Sequence, residues 1–291
     1  MTAQTSVPDL FSNSEVPSLC LRDVRRTIAF RDAIKNSVKA GDVVVDAGSG
    51  SGILAMFAAK FGAKKVFACE ANHAIANLLR KNIKQNCLEN IIEVVSGDIR
   101  QLQLPVADLI AAEMIDTWLL DELQIPAINA LHESGVIHPS SKILPMSYEA
   151  FITFGNYDFD FYGFELPFPV HDWPDLLEIN GWLPKFFHPI SDKLPAWKVN
   201  FAAPIDPYFF SQISFSALES CTINAVKLEG RVEISPGVFL GETVAFNGSK
   251  VMPISETTVV ENNRVTFDVS GYRGSVDGLG GWQCCLNSNG G

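Results

Sequence analysis

The chain has 291 residues, 47% hydrophobic and 19% charged, enough apolar content to bury a real core and to exclude a disordered chain. Its net charge of −11 argues against a general nucleic-acid role, because neutralising phosphates takes a basic surface. The acidic balance suits a cationic partner such as an Arg- or Lys-rich peptide, and it serves solubility equally well.

In chain order, Leu19, Leu21, Val24, Ile28, Phe30, Ala33, Ile34 and Val38 recur at close to helical spacing and predict a helical segment over 19–40. From Val43 to about Ile143, strands alternate with helices. Predicted strands cover Val43–Asp46, Lys65–Glu70, Ile91–Val95 and Asp108–Ala112, and helical patterns between them include Ile53–Phe61 and Ile75–Asn86. That alternation predicts an α/β doubly wound parallel sheet. After Pro145 short β-rich runs appear at 148–154, 211–215, 221–226, 231–234, 257–260 and 264–269, separated by Gly, Pro and Asn; they predict an antiparallel barrel or sandwich. Residues 159–197 are rich in Pro and aromatics without a clear period, which suits either a packed loop or an arm reaching another subunit.

The first predicted strand runs into Asp46-Ala47-Gly48-Ser49-Gly50-Ser51-Gly52. Glycines at this turn let a ligand approach the backbone where a Cβ would clash, and the following helix presents unpaired N–H groups beside it. Eighteen residues past Gly52, Glu70 ends the second strand, where a carboxylate accepts hydrogen bonds from both hydroxyls of a ribose. The spacing G-x-G-x-G departs from the dinucleotide fingerprint G-x-G-x-x-G. The preceding Asp46 favours a cation or amine over a pyrophosphate, whose charge it would oppose. A nicotinamide or flavin nucleotide is therefore the weaker reading.

This turn resembles motif I of the class I S-adenosylmethionine (SAM) methyltransferases, with Glu70 matching their ribose-binding acid. The resemblance implies that Asp98 and Ile99, after the third strand, lie against the adenine. A SAM-binding sheet followed by a β-barrel looks like the protein arginine methyltransferases, and three segments carry that likeness. Leu21-Arg22-Asp23-Val24-Arg25-Arg26-Thr27 resembles the family's L-x-D-x-x-R-T helix, which implies that Arg26 pairs with the SAM carboxylate. Asp46 to Ala63 resembles D-x-G-x-G-x-G-x-L-x-x-x-A-x-x-x-G-A, so Gly48, Gly50 and Gly52 join Asp46 in the cofactor set. Glu113 to Glu122, nine apart, is similar to the double-E loop, and its form E-x-x-D-T-x-L-x-x-E is closest to the monomethylating, type III branch.

The double-E reading also has its own physical logic. A guanidinium with its charge delocalised is a poor nucleophile. Two carboxylates flanking it hold it bidentately and bias its charge, leaving a lone pair facing the methyl group. Glu113 and Glu122 are thus the candidate catalytic pair, with Glu113 also beside the cofactor. Against this, two solvated loop acids would look the same in sequence.

Two departures bear on the acceptor. The family's Tyr-x-x-x-Tyr pair falls on Val7 and Phe11, and its Thr-His-Trp loop falls on Ala245-Phe246-Asn247; no His follows His188. The resemblance therefore implies a SAM-dependent methyltransferase acting on a guanidino or amine nitrogen of a peptide. The alternative is small-molecule carboxyl O- or amine N-methylation on the same scaffold, with Phe11, Phe246 and Trp118 making the pocket more apolar. A SAM-binding scaffold without catalysis is a third reading, against which the two loop acids speak.

The expected organisation is a helical cap over the cofactor (1–40), a Rossmann-like SAM-binding domain (41–145) and a β-barrel substrate domain (146–291) with a dimerisation arm near 159–197. A homodimer is expected from the resemblance. Six cysteines without C-x-x-C spacing read as free thiols of a reducing compartment. A polar start and no apolar run near the roughly 18 residues that span a bilayer predict a cytoplasmic protein away from membranes. The scattered five His predict no metal site.

Overall fold

The computed structural model describes residues 14–172, 183, 185–275 and 281–287. A five-stranded parallel sheet is built from β1 (Val43–Ala47), β2 (Lys65–Glu70), β3 (Ile92–Ser96), β4 (Leu109–Ala112) and β5 (Lys142–Leu144), in the order β3-β2-β1-β4-β5. β1 and β4 are buried along nearly their whole length, as strands covered on both faces must be, and their sequences are accordingly apolar apart from Asp46 near the end of β1. The chain winds outward from β1 through β2 to β3, then restarts on the other side of β1 at β4. The strand order reverses there, and open α/β sheets bind ligands beyond the carboxyl ends of such a pair.

Among the described residues five α-helices accompany the sheet: α1 (Glu15–Arg22), α2 (Val24–Ser37), α3 (Ile53–Lys60), α4 (His73–Gln85) and α5 (Gln124–Glu133). The periodicity over 19–40 predicts one helical segment, and the structure breaks it at Asp23. That residue is extended (φ −74°, ψ 96°), and its carboxylate accepts the Arg26 N–H at 3.0 Å. A short acid that satisfies an orphan N–H stabilises a new helix start more than it stabilises a helix interior. Asn72 caps α4 in the same way, accepting from Ala74 and Ile75, and Ile75, Ala76, Leu79 and Ile83 form the buried face of that helix.

The C-terminal half is antiparallel. One sheet centres on β6 (Ser147–Asn156) and the strands Cys221–Ser235 and Lys250–Val259; a second joins Tyr208–Ser216, Arg264–Tyr272 and Gln283–Leu286. The runs at 221–226 and 231–234 are a single strand, because alternate burial continues through Lys227, Leu228 and Glu229. Phe154 of the first sheet meets Phe215 and Phe267 of the second at 4.7 and 4.6 Å between ring centroids, joining the two faces in one apolar core that continues into the parallel sheet. Part of the period-less segment is also strand: Val170–His171 pairs with 250–251, His188–Pro189 with 155–156, and Leu194–Asn200 with β6. Trp197 within it is stacked on Tyr148 at 5.5 Å. The remainder of the proposed arm, 173–182 and 184, lies outside the described residues, as do Val7 and Phe11.

Among the described residues no helix is long and apolar enough to cross a membrane, and no cluster of His, Cys, Asp and Glu has metal-binding geometry. The six cysteines are unpaired with one another.

Candidate active site

At the carboxyl end of β1 the backbone turns through left-handed conformations at Gly48, Gly50 and Gly52 (φ 75°, 51° and 86°), which residues carrying a Cβ rarely adopt. The Gly48 and Ser49 N–H groups donate to the Cys69 carbonyl at 3.1 and 2.8 Å, tying the turn to β2. A Cβ on Gly48 would press Met114 at 3.2 Å, and one on Gly50 would press Pro17 at 3.3 Å. Met114 and Pro17 pack directly on these glycines, and all four residues line one cavity. That cavity is lined by Arg26, Gly48, Gly50, Glu70, Asp98, Ile99, Glu113 and Glu122, and α1 covers it with Val16, Pro17 and Cys20.

Two residues of the expected cofactor set stand apart from the lining. Asp46 is 1% exposed and lies beneath the turn; its carboxylate accepts the Ala55 N–H at 3.2 Å, and its carbonyl accepts the Ser49 hydroxyl at 3.0 Å. Burial, with Glu70 adding repulsion, pushes it up to about 7. Asp46 therefore shapes the turn from behind. Gly52 starts α3, and a Cβ there would stand 2.2 Å from Leu79 Cδ1; it is glycine so that α4 can pack.

Glu70 braces the turn from the front. Its two oxygens accept the Gly50 N–H at 2.9 Å and the Asn72 N–H at 2.8 Å, and each retains lone pairs toward the cavity. Asp98 is gripped by Arg100, with Nε at 3.0 Å and Nη2 at 2.5 Å. Burial raises this carboxyl, but the Arg100 contacts hold it below the usual range.

On the opposite wall, the Arg26 guanidinium is ion-paired to Glu113, and the two side chains are 6% and 8% exposed. Glu113 follows β4, so the sheet itself aims it at the cavity. The loop from there to α5 is locked by Trp118, which adopts φ 60°. Its N–H donates to the Tyr148 hydroxyl at 2.7 Å, and its indole Nε1 donates to the Phe151 and Glu229 carbonyls at 2.9 and 3.0 Å. Trp118 is fully buried among Trp197, Phe209 and Trp282. Phe246 is 1% exposed against Phe30. Each could have been a pocket wall or ordinary core, and both are core, because packing these rings into the apolar interior removes more surface from water than a cavity wall would.

Sequence reasoning passed over the acids between Glu113 and Glu122. Asp116 accepts the Asp121 and Glu122 N–H groups at 2.8 and 3.3 Å. Burial and the neighbouring Asp121 push Asp116 up to about 7, with Lys250 pulling the other way. Burial, then Asp116 and Asp121, push Glu122 up to about 8 against the pull of Arg26. The D-T pair in the motif was visible, but the partner of this loop, Lys250, lies 129 residues from Asp121. Also missed was the clasp between the two halves: Asp23 accepts the Thr243 hydroxyl and the Ala245 N–H, the latter at 3.0 Å.

Residues 24–144 match the family model described as the TRM5/TYW2 methyltransferase domain. A protein of Methanocaldococcus jannaschii with no assigned activity is 30% identical over 262 residues, covering 87% of this chain and 90% of its own. The arginine N(omega)-methyltransferase of Streptomyces achromogenes is 34% identical over 131 residues, covering 43% of this chain and 36% of its own. The chain thus spans about a third of that enzyme's length, and 38% of the protein arginine N-methyltransferase 1 of Oryza sativa, which is 32% identical over 148 residues. Among solved structures, the Trypanosoma brucei PRMT1 enzyme-prozyme complex with AdoHcy superposes with a TM-score of 0.73 at 20% identity, covering 90% of this chain and 89% of that one. PRMT6 superposes at 0.69 and 17%, covering 93% and 97%.

Proposed function

The chain belongs to the protein arginine methyltransferase-like class I SAM-dependent methyltransferases, and from that premise we propose that it methylates a guanidino or amine nitrogen held between Glu113 and Glu122. The observation that carries this reading is that both acids line the same cavity as the glycine turn and Glu70. The residues present fit SAM: Gly48 and Gly50 put backbone without a Cβ into the cavity lining, Glu70 offers lone pairs suited to ribose hydroxyls, and Arg26 is a buried cation suited to a carboxylate. Asp98 and Ile99, in the same lining, are the residues assigned to the adenine.

When bound, SAM supplies an electrophilic methyl group on a sulfonium: the S–C bond breaks, the N–C bond forms, and S-adenosylhomocysteine leaves. The protein's part is largely positioning. Glu113, at the end of a rigid strand, holds one face of the acceptor. Glu122 starts protonated, since burial raises it to about 8, and an arriving cation favours its carboxylate form. Having released its own proton to solvent as the cation binds, it accepts a hydrogen bond from the nitrogen and takes, directly or through water, the proton that leaves.

A small-molecule acceptor is the second reading. It is favoured by the absence of a His after His188 and by the relative named for arginine itself. A three-part division at 40 and 145, a homodimer through 159–197 and a cytoplasmic location complete the proposal. Incubation with methyl-labelled SAM, an Arg-rich peptide, free arginine and a metabolite extract tests it. Label in a nitrogen of any arm supports the reading; label only in carboxyl oxygens, or in none, contradicts it.

A further inference from the structure

The segment from Glu113 to Glu122 carries four carboxylates in ten residues: Glu113, Asp116, Asp121 and Glu122. At such spacing in a low-dielectric setting like charges repel strongly, so the loop holds its shape only where each acid is compensated. Glu113 has Arg26. Asp116 has the N–H groups of Asp121 and Glu122. For Asp121 the compensation arrives from the far half of the chain. Lys250 Nζ lies 2.6 Å from Asp121 Oδ2, with side chains 5% and 16% exposed. Lys250 is the first residue of the strand Lys250–Val259, its backbone fixed between Leu228 and His171. An ammonium so buried must have a counter-ion, and an Asp121 so close to Asp116 must have a cation.

We propose that Lys250 is a positioning residue for the methyl transfer: its ammonium, pinned to Asp121, fixes the Asp116–Glu122 segment so that Glu122 faces the cavity and controls how readily that carboxyl releases its proton. This rests on the reading of Glu122 given above. Lys250 is not among the residues lining the cavity, so it acts through the loop. The charged and titratable groups around Glu122 are Asp116 and Asp121 on its own loop, Arg26 on α2 and Cys20 on α1. His171 stands beside Lys250, and burial drives it down to about 4, with the Lys250 charge acting the same way. It is therefore neutral at working pH, and the Lys250 ammonium carries the positive charge paired to Asp121.

The test follows the Glu122 carboxyl by 13C NMR titration of the full-length protein labelled at Glu and Asp side chains, which needs no acceptor. Lys250→Met leaves Asp121 and Asp116, both of which act on Glu122, without their cation, so Glu122 should titrate about one pH unit higher. Asp121→Asn removes a negative charge and leaves Lys250 to Asp116, so Glu122 should titrate lower. Lys250→Arg keeps the charge and should stay near wild type. A role confined to packing would move Met and Asn variants in the same direction. Glu122 titrating alike in all four proteins, or shifting in one direction in both, would overturn the proposal. If Lys250→Met fails to fold, Asp121→Asn against Lys250→Arg still decides the sign. Calorimetry with SAM on the same samples separates the two claims: no SAM binding by wild type defeats the cofactor reading whatever Glu122 does, whereas equal SAM affinity in all variants with opposite Glu122 shifts supports the role of Lys250.

Discussion

Arg26 of α2 and Glu113 after β4 neutralise each other across the mouth of the cavity, each less than a tenth exposed. A ligand carboxylate at Arg26 and a cationic acceptor at Glu113 would each engage one member of this pair. Arg26→Ala should weaken SAM binding by about 10- to 100-fold in calorimetry, because it removes the cation and strands a buried acid. Glu113→Gln should leave SAM affinity within a few-fold while turnover drops by about 10²–10⁴-fold. Near wild-type turnover in Glu113→Gln would show that the acid takes no part.

Glu70 has two duties, the turn and the proposed ribose. Glu70→Ala removes the acceptors of the Gly50 and Asn72 N–H groups, so SAM affinity should fall by about 100-fold or more. Glu70→Gln retains one acceptor oxygen and should fall less. Equal affinities for wild type and Glu70→Ala would remove Glu70 from the site.

Much of this architecture was legible in advance. The largely apolar runs at 43–46, 65–70 and 108–112 give β1, β2 and β4 within a residue or two, since a strand covered on both faces keeps its polar residues near its ends. Arg26, Glu70, Glu113 and Glu122 come together because each sits at or just past the end of an element of that sheet or on the helix above it. What sequence could not give was non-local. Lys250 meets Asp121, and Thr243 meets Asp23, only through antiparallel pairing far along the chain. Asp46 and Gly52 match the motif letter by letter, and the contacts they make are internal: one holds the Ala55 N–H beneath the turn, the other admits Leu79. The apolar side chains Trp118 and Phe246 carry no label that separates core from pocket wall.

The packing role of Gly52 gives a stability test. Gly52 and Gly135 both have positive φ, 86° and 74°, but a Cβ on Gly52 meets Leu79 at 2.2 Å while one on Gly135 meets open space. Gly135→Ala should cost about 1 kcal/mol, the strain alone, and Gly52→Ala about 2–4 kcal/mol in denaturant unfolding. Equal losses would mean that α4 shifts freely and the close packing matters little.

Three carboxyls raised by burial make stability depend on pH with a definite sign. Asp46 and Asp116 are pushed up to about 7 and Glu122 to about 8. Across the window from about pH 4 to about pH 8 the ligand-free native protein therefore holds protons that the unfolded chain has released, so stability falls as pH rises. Asp23, buried, and Asp98, partly buried, are held low by their hydrogen bonds to Thr243 and Arg100; their contribution is present above the ordinary carboxylate range and is lost only as pH falls below it. The melting temperature should thus be higher near pH 5.5 than near pH 8, and Glu122→Gln should flatten part of the slope. A rise in stability over that interval would contradict the assignment.

The most direct measurement is a crystal structure of the full chain soaked with S-adenosylhomocysteine. The ribose hydroxyls should lie within hydrogen-bond reach of Glu70, the carboxylate at Arg26, and the sulfur should face the space between Glu113 and Glu122. A nucleoside bound elsewhere, or one whose sulfur points away from both acids, would contradict the account.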